Sequence, residues 1–295
     1  MIYTLTFSPA LDLCMWADEI NFNKTNRSKK EQINVGGKGI NVSLVLKELE
    51  VYSVALGFVG GFVGEEIEKR LNEAGLKTDF VRINANSRIN VKLMGNIETE
   101  INAKGPNLTD KDLELLLQKL SLLQSGDTLI ISGSIKDGVI DKILSALSGK
   151  QIKTVVDTAG ANLLSSLKYK PFFIKPNKQE IEQMLNIKCN SIEDVSYYAQ
   201  KLIDLGAKNV AVTLGKDGVL FKNKDTEIYM KAPSGKVLNT VGAGDSFVAG
   251  FIAGYLENKD FTFALKLGTA AGSATAFSLS LATRDEIKAV FDSIE

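Results

Sequence analysis

The chain has 295 residues, 44% of them hydrophobic, with 35 basic and 35 acidic side chains and no histidine. That length suits one large α/β domain or two small ones with an ample core, and the balanced charge gives no general pull toward nucleic acid or an anionic membrane. The missing histidine excludes Ser-His-Asp and Cys-His hydrolysis and histidine-ligated metal sites, so any general base must be Asp, Glu, Lys or Tyr.

Short β-rich runs alternate with amphipathic helical patterns along the chain. "IYTLTF" opens it as a strand and residues 12–33 follow as a polar, irregular stretch. "VGGKG" then leads into the helical "INVSLVLKELE", and "SVALGFVG" is the next strand. Residues 88–103, "RINVKLMGNIETEINA", read as a hairpin turning near Gly95 and Asn96. Thr109 precedes "DKDLELLLQKL" as an N-cap, and Ser191 does the same for "IEDV". "DTLIISG", "KTVVD", "PFFIKP" and "NVAVTLG" are further strands separated by helices. This order predicts a mostly parallel sheet with helices on both faces. Residues 12–33 and 88–103 together are expected to form a small strand-rich lid on a single core domain spanning residues 1–295, because no linker or repeat divides the chain. Cys14 and Cys189 match no metal-ligand spacing and read as core or incidental thiols of a reducing compartment. The N-terminus lacks a basic segment followed by an apolar one, so a cytoplasmic protein is expected.

Ligands in such sheets sit where glycine loops leave the carboxyl ends of strands. No stretch fits a Walker loop or a dinucleotide glycine triplet, which disfavours P-loop NTPases and simple dehydrogenases. In "VGGKGIN", Gly36, Gly37 and Lys38 could turn backbone amides and a cation toward an anion or toward sugar hydroxyls, or could simply start a helix. "TVGAGDS" is sharper. If a helix begins near Ala243, the amides of Gly242, Ala243, Gly244 and Asp245 converge where the helix dipole adds positive potential, which suits a transferring phosphoryl group. Asp245 could then accept the proton of an attacking hydroxyl; the commoner use of such an aspartate is a helix cap.

"VGGKGIN" and "TVGAGDS", together with "SPALD", "SRINVKL", "ISGSI", "KPNKQE" and "TLGKDG" in this order, resemble the signature regions of the ribokinase-like carbohydrate kinases, in their phosphofructokinase B branch. Within it they are most similar to the bacterial 1-phosphofructokinases. The resemblance covers essentially the whole chain and implies a three-layer α/β/α sandwich with a mostly parallel central sheet and a small β lid. It implies ATP-dependent phosphorylation of D-fructose 1-phosphate at its 6-hydroxyl, giving fructose 1,6-bisphosphate and ADP. Tagatose-6-phosphate kinase or another hexose-phosphate kinase is the near alternative, and a non-catalytic sugar-phosphate or nucleotide sensor is the distant one.

By the same resemblance Asp245 is the catalytic base and Gly242, Ala243 and Gly244 complete the anion hole. Asp12, Gly36, Gly37 and Asn41 hold sugar hydroxyls, while Arg27, Lys38, Arg88 and Ser134 hold the phosphate already on the substrate, with Asn90 and Lys92 on the strand face of Arg88. Lys175, Asn177, Thr213, Gly215, Gly218 and Thr240 border ATP, and Asn177 with Glu180 organises Mg²⁺ through water; a helix cap followed by an acid is an equal reading of that pair. Two positions depart from the pattern. Ser8 replaces an asparagine, and Ser280 stands where glycine is usual beside a monovalent cation site, which leaves K⁺ activation open. Sugar phosphate and ATP are the expected partners, with a homodimer built through the lid.

Overall fold

The computed structural model describes residues 1–95 and 99–294, so the expected turn residue Asn96 lies outside the described residues. Fourteen strands and ten α-helices are described. The strands are β1 (Ile2–Thr6), β2 (Ala10–Trp16), β3 (Lys30–Gly36), β4 (Ser53–Val59), β5 (Lys77–Thr78), β6 (Val81–Arg82), β7 (Arg88–Met94), β8 (Thr99–Ile101), β9 (Thr128–Ser132), β10 (Lys153–Asp157), β11 (Phe173–Ile174), β12 (Asn209–Thr213), β13 (Val219–Asn223) and β14 (Glu227–Met230). The helices are α1 (Lys38–Glu48), α2 (Gly61–Glu73), α3 (Asp110–Ser121), α4 (Val139–Ala146), α5 (Gly160–Leu167), α6 (Lys178–Leu185), α7 (Ile192–Asp204), α8 (Ala243–Asn258), α9 (Phe261–Phe277) and α10 (Arg284–Ser293).

The large sheet runs β14-β13-β12-β11-β10-β9-β1-β4-β5, with β6 also on β4. It is parallel from β12 to β5, and β13 and β14 add an antiparallel edge. Successive strand residues serve opposite layers, as a period of two requires. Leu129, Ile131, Val156, Ile174 and Val212 pack toward α3 to α7, whereas Ile130, Val155, Phe173 and Ala211 pack toward α1, α8, α9 and α10. Three layers result. Thr109 and Ser191 do cap α3 and α7, each in a reciprocal box with the aspartate three residues on. The α8 and α9 pair is closely joined: a Cβ on Gly250 would lie 2.6 Å from the Leu267 carbonyl oxygen, so only glycine lets the backbones meet.

The second sheet has the order β3-β2-β7-β8. The polar stretch from residue 12 is therefore not irregular throughout. It begins within β2 and ends within β3, which pair antiparallel from Ala10 with Gly36 to Trp16 with Lys30. Even-numbered residues such as Asp12, Asn34 and Asn90 share one face and apolar odd-numbered residues the other, so half of each strand reads as polar. β7 and β8 form the expected hairpin.

Candidate active site

Gly242 takes the left-handed conformation at φ 81° and releases the chain into α8 at Ala243. One amide differs from expectation. Ala243 N–H donates to the Thr240 carbonyl at 3.3 Å to close the turn that starts the helix, so the donors aimed outward are those of the next residues, Gly244 and Asp245, which lack a carbonyl four residues back within the helix. Asp245 is not the cap: α8 has no side-chain cap hydrogen bond. The residue is 5% exposed, and its carboxylate accepts a 2.8 Å hydrogen bond from Asn41 Nδ2 of α1. Burial, followed by the nearby Asp157 charge, pushes its pKa up to about 7; the Asn41 hydrogen bond, Lys38 and Lys175 pull the other way. A carboxyl poised there can take a proton and return it near neutral pH.

Lys175 follows β11, and its Nζ lies 3.2 Å from Asp157 Oδ1 with both side chains buried. A Cβ built on Gly244 would sit 3.3 Å from Lys175 Nζ, so the ammonium stands directly against the first turn of α8. Burial opposes its charge, but Asp157, then Glu180 and Asp245, outweigh it and hold the pKa above the ordinary lysine value. Asp157 is a residue that sequence reasoning passed over. The available signal was a lone carboxylate closing the apolar strand "KTVVD" at its carboxyl end.

The first glycine loop links Asp245 to the small sheet. Thr6 Oγ1, at the end of β1, accepts from Ile40 N–H at 3.0 Å, and a Cβ on Gly37 would stand 2.7 Å from Thr6 Cγ2. On Gly36 a Cβ would stand 2.7 Å from Asp12 Oδ2, so the glycine makes room for that carboxylate. Asp12 also accepts from Asn90 Nδ2 at 2.8 Å and lies 3.4 Å from Lys92 Nζ, its neighbours across the β2 and β7 register. Lys92 is held by Asp12 and Glu100, whose charges outweigh its burial and raise its pKa. Residues 36–41 thus touch the Asp12 cluster at one end and Asp245 at the other.

Arg88 donates to the Ala103 carbonyl at 3.2 Å while its Nε is buried with no partner among the described residues. The Gly105 position stands beside both Ser8 and Arg88, which brings the departed asparagine site to this arginine. The Lys38 stem runs along Gly133, next to Ser134. Arg27 is not brought into the cluster; it is exposed in the connection between β2 and β3.

A pocket of about 590 Å³ opens beside the first turn of α8. Asn177, Thr213, Gly215, Gly218, Thr240, Ala243 and Gly244 line it, together with apolar side chains including Val219, Pro233 and Phe247. That volume and lining suit a drug-sized or nucleotide-sized ligand. Asn177 and Glu180 meet as a reciprocal capping box, with Asn177 Oδ1 accepting from Glu180 N–H and Glu180 Oε2 from Asn177 N–H, both at 2.8 Å. The structural reading of the pair is therefore realised, and one Glu180 oxygen is spent on it. Among the described residues no cluster of three metal-ligating side chains forms. The buried Asp157 Oδ2 without a hydrogen-bond partner, with Glu180 near the same lysine, is a sparse oxygen donor set that fits a cation carried mostly by water and phosphate.

The family model described as pfkB family carbohydrate kinase matches residues 6–287. The chain is 39% identical to the 1-phosphofructokinase of Bacillus subtilis (strain 168), covering all of this chain and 99% of that one. It is 37% identical to the D-tagatose-1-phosphate kinase of Bacillus licheniformis over 95% of this chain and 94% of the other. Among solved structures, Escherichia coli phosphofructokinase-2 in complex with potassium superposes with a TM-score of 0.93 at 27% identity, covering 99% of this chain and 98% of that one.

Proposed function

We propose that this chain, which belongs to the pfkB family of carbohydrate kinases, transfers the γ-phosphoryl group of ATP to the 6-hydroxyl of D-fructose 1-phosphate, giving fructose 1,6-bisphosphate and ADP. The observation that carries the reading is the position of Asp245. It is a buried carboxyl with a pKa of about 7 at the first turn of α8, joined through residues 36–41 to a polar sugar-sized cluster and bordered by a nucleotide-sized pocket.

Asp12 and Asn90 accept and donate to sugar hydroxyls, and Gly36, Gly37 and Asn41 let the sugar lie against backbone. Arg88, with its unpartnered Nε, binds the phosphate already present, joined by Lys38, Lys92 and Ser134. Asp245 removes the proton of the 6-hydroxyl as that oxygen attacks. The amides of Gly244 and Asp245, with Gly242 shaping the turn and Lys175 alongside, hold the charge that develops on the phosphoryl oxygens. Asp245 then carries the proton away when product leaves. Thr213, Gly215, Gly218 and Thr240 border the nucleotide. Mg²⁺, when bound, neutralises phosphate charge; Glu180 and Asp157 are the carboxylates placed to hold its water shell, with Asn177 fixing Glu180. K⁺ activation is an open extension, supported by the potassium complex of the Escherichia coli relative and opposed by Ser280 at the usual glycine position.

The D-tagatose-1-phosphate kinase relative keeps a ketohexose 1-phosphate of another stereochemistry as the second reading. Coupled ADP release is measured on fructose 1-phosphate, fructose 6-phosphate, tagatose 1-phosphate, tagatose 6-phosphate and free sugars. The highest kcat/KM should fall on fructose 1-phosphate. A higher value on another phosphate reassigns the substrate, and no ADP release on any supports a sensor. We expect the enzyme in the cytoplasm, as a homodimer joined through its small sheets; no helix among the described residues is long and apolar enough to cross a membrane.

A further inference from the structure

The polar residues of β7 are tied to the chain that comes after it. Arg88 donates to the Ala103 carbonyl, and Asn90 Oδ1 accepts from Ala103 N–H at 3.1 Å. Both of those ties end on backbone. The third ends on a side chain: Lys92 lies opposite Glu100 in the β7 and β8 register, with its Nζ 3.5 Å from Glu100 Oε1. Glu100 is itself oriented, since its Oε2 accepts from Asn102 Nδ2 at 3.3 Å. It stands on β8, the edge strand of the small sheet, on the far side of Lys92 from Asp12.

Lys92 Nζ is 3.4 Å from Asp12 Oδ2 and 3.5 Å from Glu100 Oε1, whereas a charge-assisted hydrogen bond closes to about 2.7–2.9 Å. The ammonium is therefore shared between two carboxylates and closed onto neither. The Lys92 and Asp12 side chains are 13% and 16% exposed, so solvent screens their attraction only in part. With the Glu100 charge gone, Asp12 is the one carboxylate left within ion-pair distance among the described residues. Lys92 would then close onto Asp12 Oδ2, while Oδ1 already accepts from Asn90. Both oxygens of the carboxylate that meets the sugar hydroxyls would be engaged by the protein's own donors.

We infer that Glu100 is a positioning residue for the sugar phosphate: it holds the Lys92 ammonium back from Asp12 and so keeps the Asp12 carboxylate open to sugar hydroxyls, an inference that rests on the kinase reading above. Glu100 acts through Lys92 and touches no substrate atom.

The test compares Glu100→Gln, Lys92→Met and the double variant with the unaltered chain, reading the Kd of D-fructose 1-phosphate by calorimetry beside the kinetics. Glu100→Gln removes the charge and keeps the shape. Its Kd and its sugar-phosphate KM should rise about five- to tenfold, the scale of one hydrogen bond lost to competition. The kcat and the ATP KM should be unchanged and the melting temperature should stay within about 2 °C, as for an exposed substitution. Glu100→Asp, which keeps the charge, should restore most of the affinity. In the Lys92→Met background Glu100→Gln should make no further difference, because no ammonium remains to be held back. An unchanged or lower Kd in Glu100→Gln would overturn the inference, since Glu100 would then leave Lys92 unrestrained or merely repel the phosphate. An equal rise in the Lys92→Met background would overturn it as well, by showing that Glu100 acts independently of Lys92. A fall in kcat and melting temperature together with a higher ATP KM would assign Glu100 to the folding of the small sheet and have the same effect. Fructose 1-phosphate binding without ADP release by the unaltered chain would sink the kinase reading alone, and the comparison of Kd values would still decide the role of Glu100.

Discussion

The side-chain amide of Asn41 donates a 2.8 Å hydrogen bond to Asp245 Oδ2, tying the helix after the first glycine loop to the helix after the last across 204 residues of sequence. That bond favours the ionised carboxylate and opposes the burial that pushes its pKa up to about 7. Asn41→Ala should therefore move the pKa higher and leave less base ionised at pH 7. The acidic limb of the pH profile of kcat should shift to more alkaline pH by roughly one unit, the scale of a hydrogen bond to a charged group. An unmoved limb would argue that Asp245 does not limit turnover.

Asp245→Asn removes the base while keeping its shape, and should lower turnover by at least ~10²-fold with nucleotide binding retained. Its stability should change in the opposite direction. The folded carboxyl titrates near 7 and the unfolded one near 3.8, so between those values the native state holds a proton that the unfolded state has lost, and stability falls as pH rises. The neutral amide escapes this penalty, which amounts to at most ~4 kcal/mol. The variant should melt above the unaltered protein at pH 8, with the gap opening between about pH 4 and about pH 7 and level beyond. Melting curves across that range check the sign.

Lys175 and Asp157 form a buried pair at 3.2 Å, and breaking one half leaves an uncompensated charge. Asp157→Asn should cost roughly 3–5 kcal/mol and lower the melting temperature by roughly 5–15 °C. Adding Lys175→Met should recover much of that loss while abolishing the cation beside Gly244, so the double variant should be more stable than the single one and still nearly inactive. Equal or lower stability of the double variant would show that the two charges do not act as a pair.

How much of this was legible in the sequence divides by the range of the signal. The sandwich, its parallel order and the caps at Thr109 and Ser191 depend on local periodicity and helix-start residues, so they could be read directly. Strands β2 and β3 were read as irregular because one face is polar for the site and the connection between them is rich in Asn, Lys and Ser. In sequence Asp157 only closes a strand, since its meaning comes from Lys175, which follows β11. The Asn177 and Glu180 spacing permitted both a cap and a metal role, and the fold realises the cap visibly.

Gly36 is required for contact rather than for backbone freedom. A methyl group there would press within 2.7 Å of Asp12 Oδ2 and drive the carboxylate from Asn90 and Lys92. Gly36→Ala should raise the sugar-phosphate KM by at least ~10-fold, the equivalent of a lost charge-assisted hydrogen bond, and leave the ATP KM alone. Parallel changes in both constants would mean that the loop, not the Asp12 contact, had been disturbed.

The apolar face of the small sheet supplies the last expectation. Leu11 and Val35, at its near end, pack with residues of α1 and α2, but Ile33, Ile89 and Ile101 further out are 41%, 39% and 59% exposed. We propose that this sheet, with one polar face turned to the site and one apolar face uncovered, meets a second sheet of the same kind, since contiguous exposed apolar area marks an interaction surface. Light scattering should give twice the chain mass for the unaltered protein. Ile101→Glu puts a charge on that face at an exposed position, where the single chain can solvate it, and should yield a folded monomer. An unaltered protein that scatters as a monomer at micromolar concentration would remove the interface, and a dimer that survives Ile101→Glu would place it elsewhere.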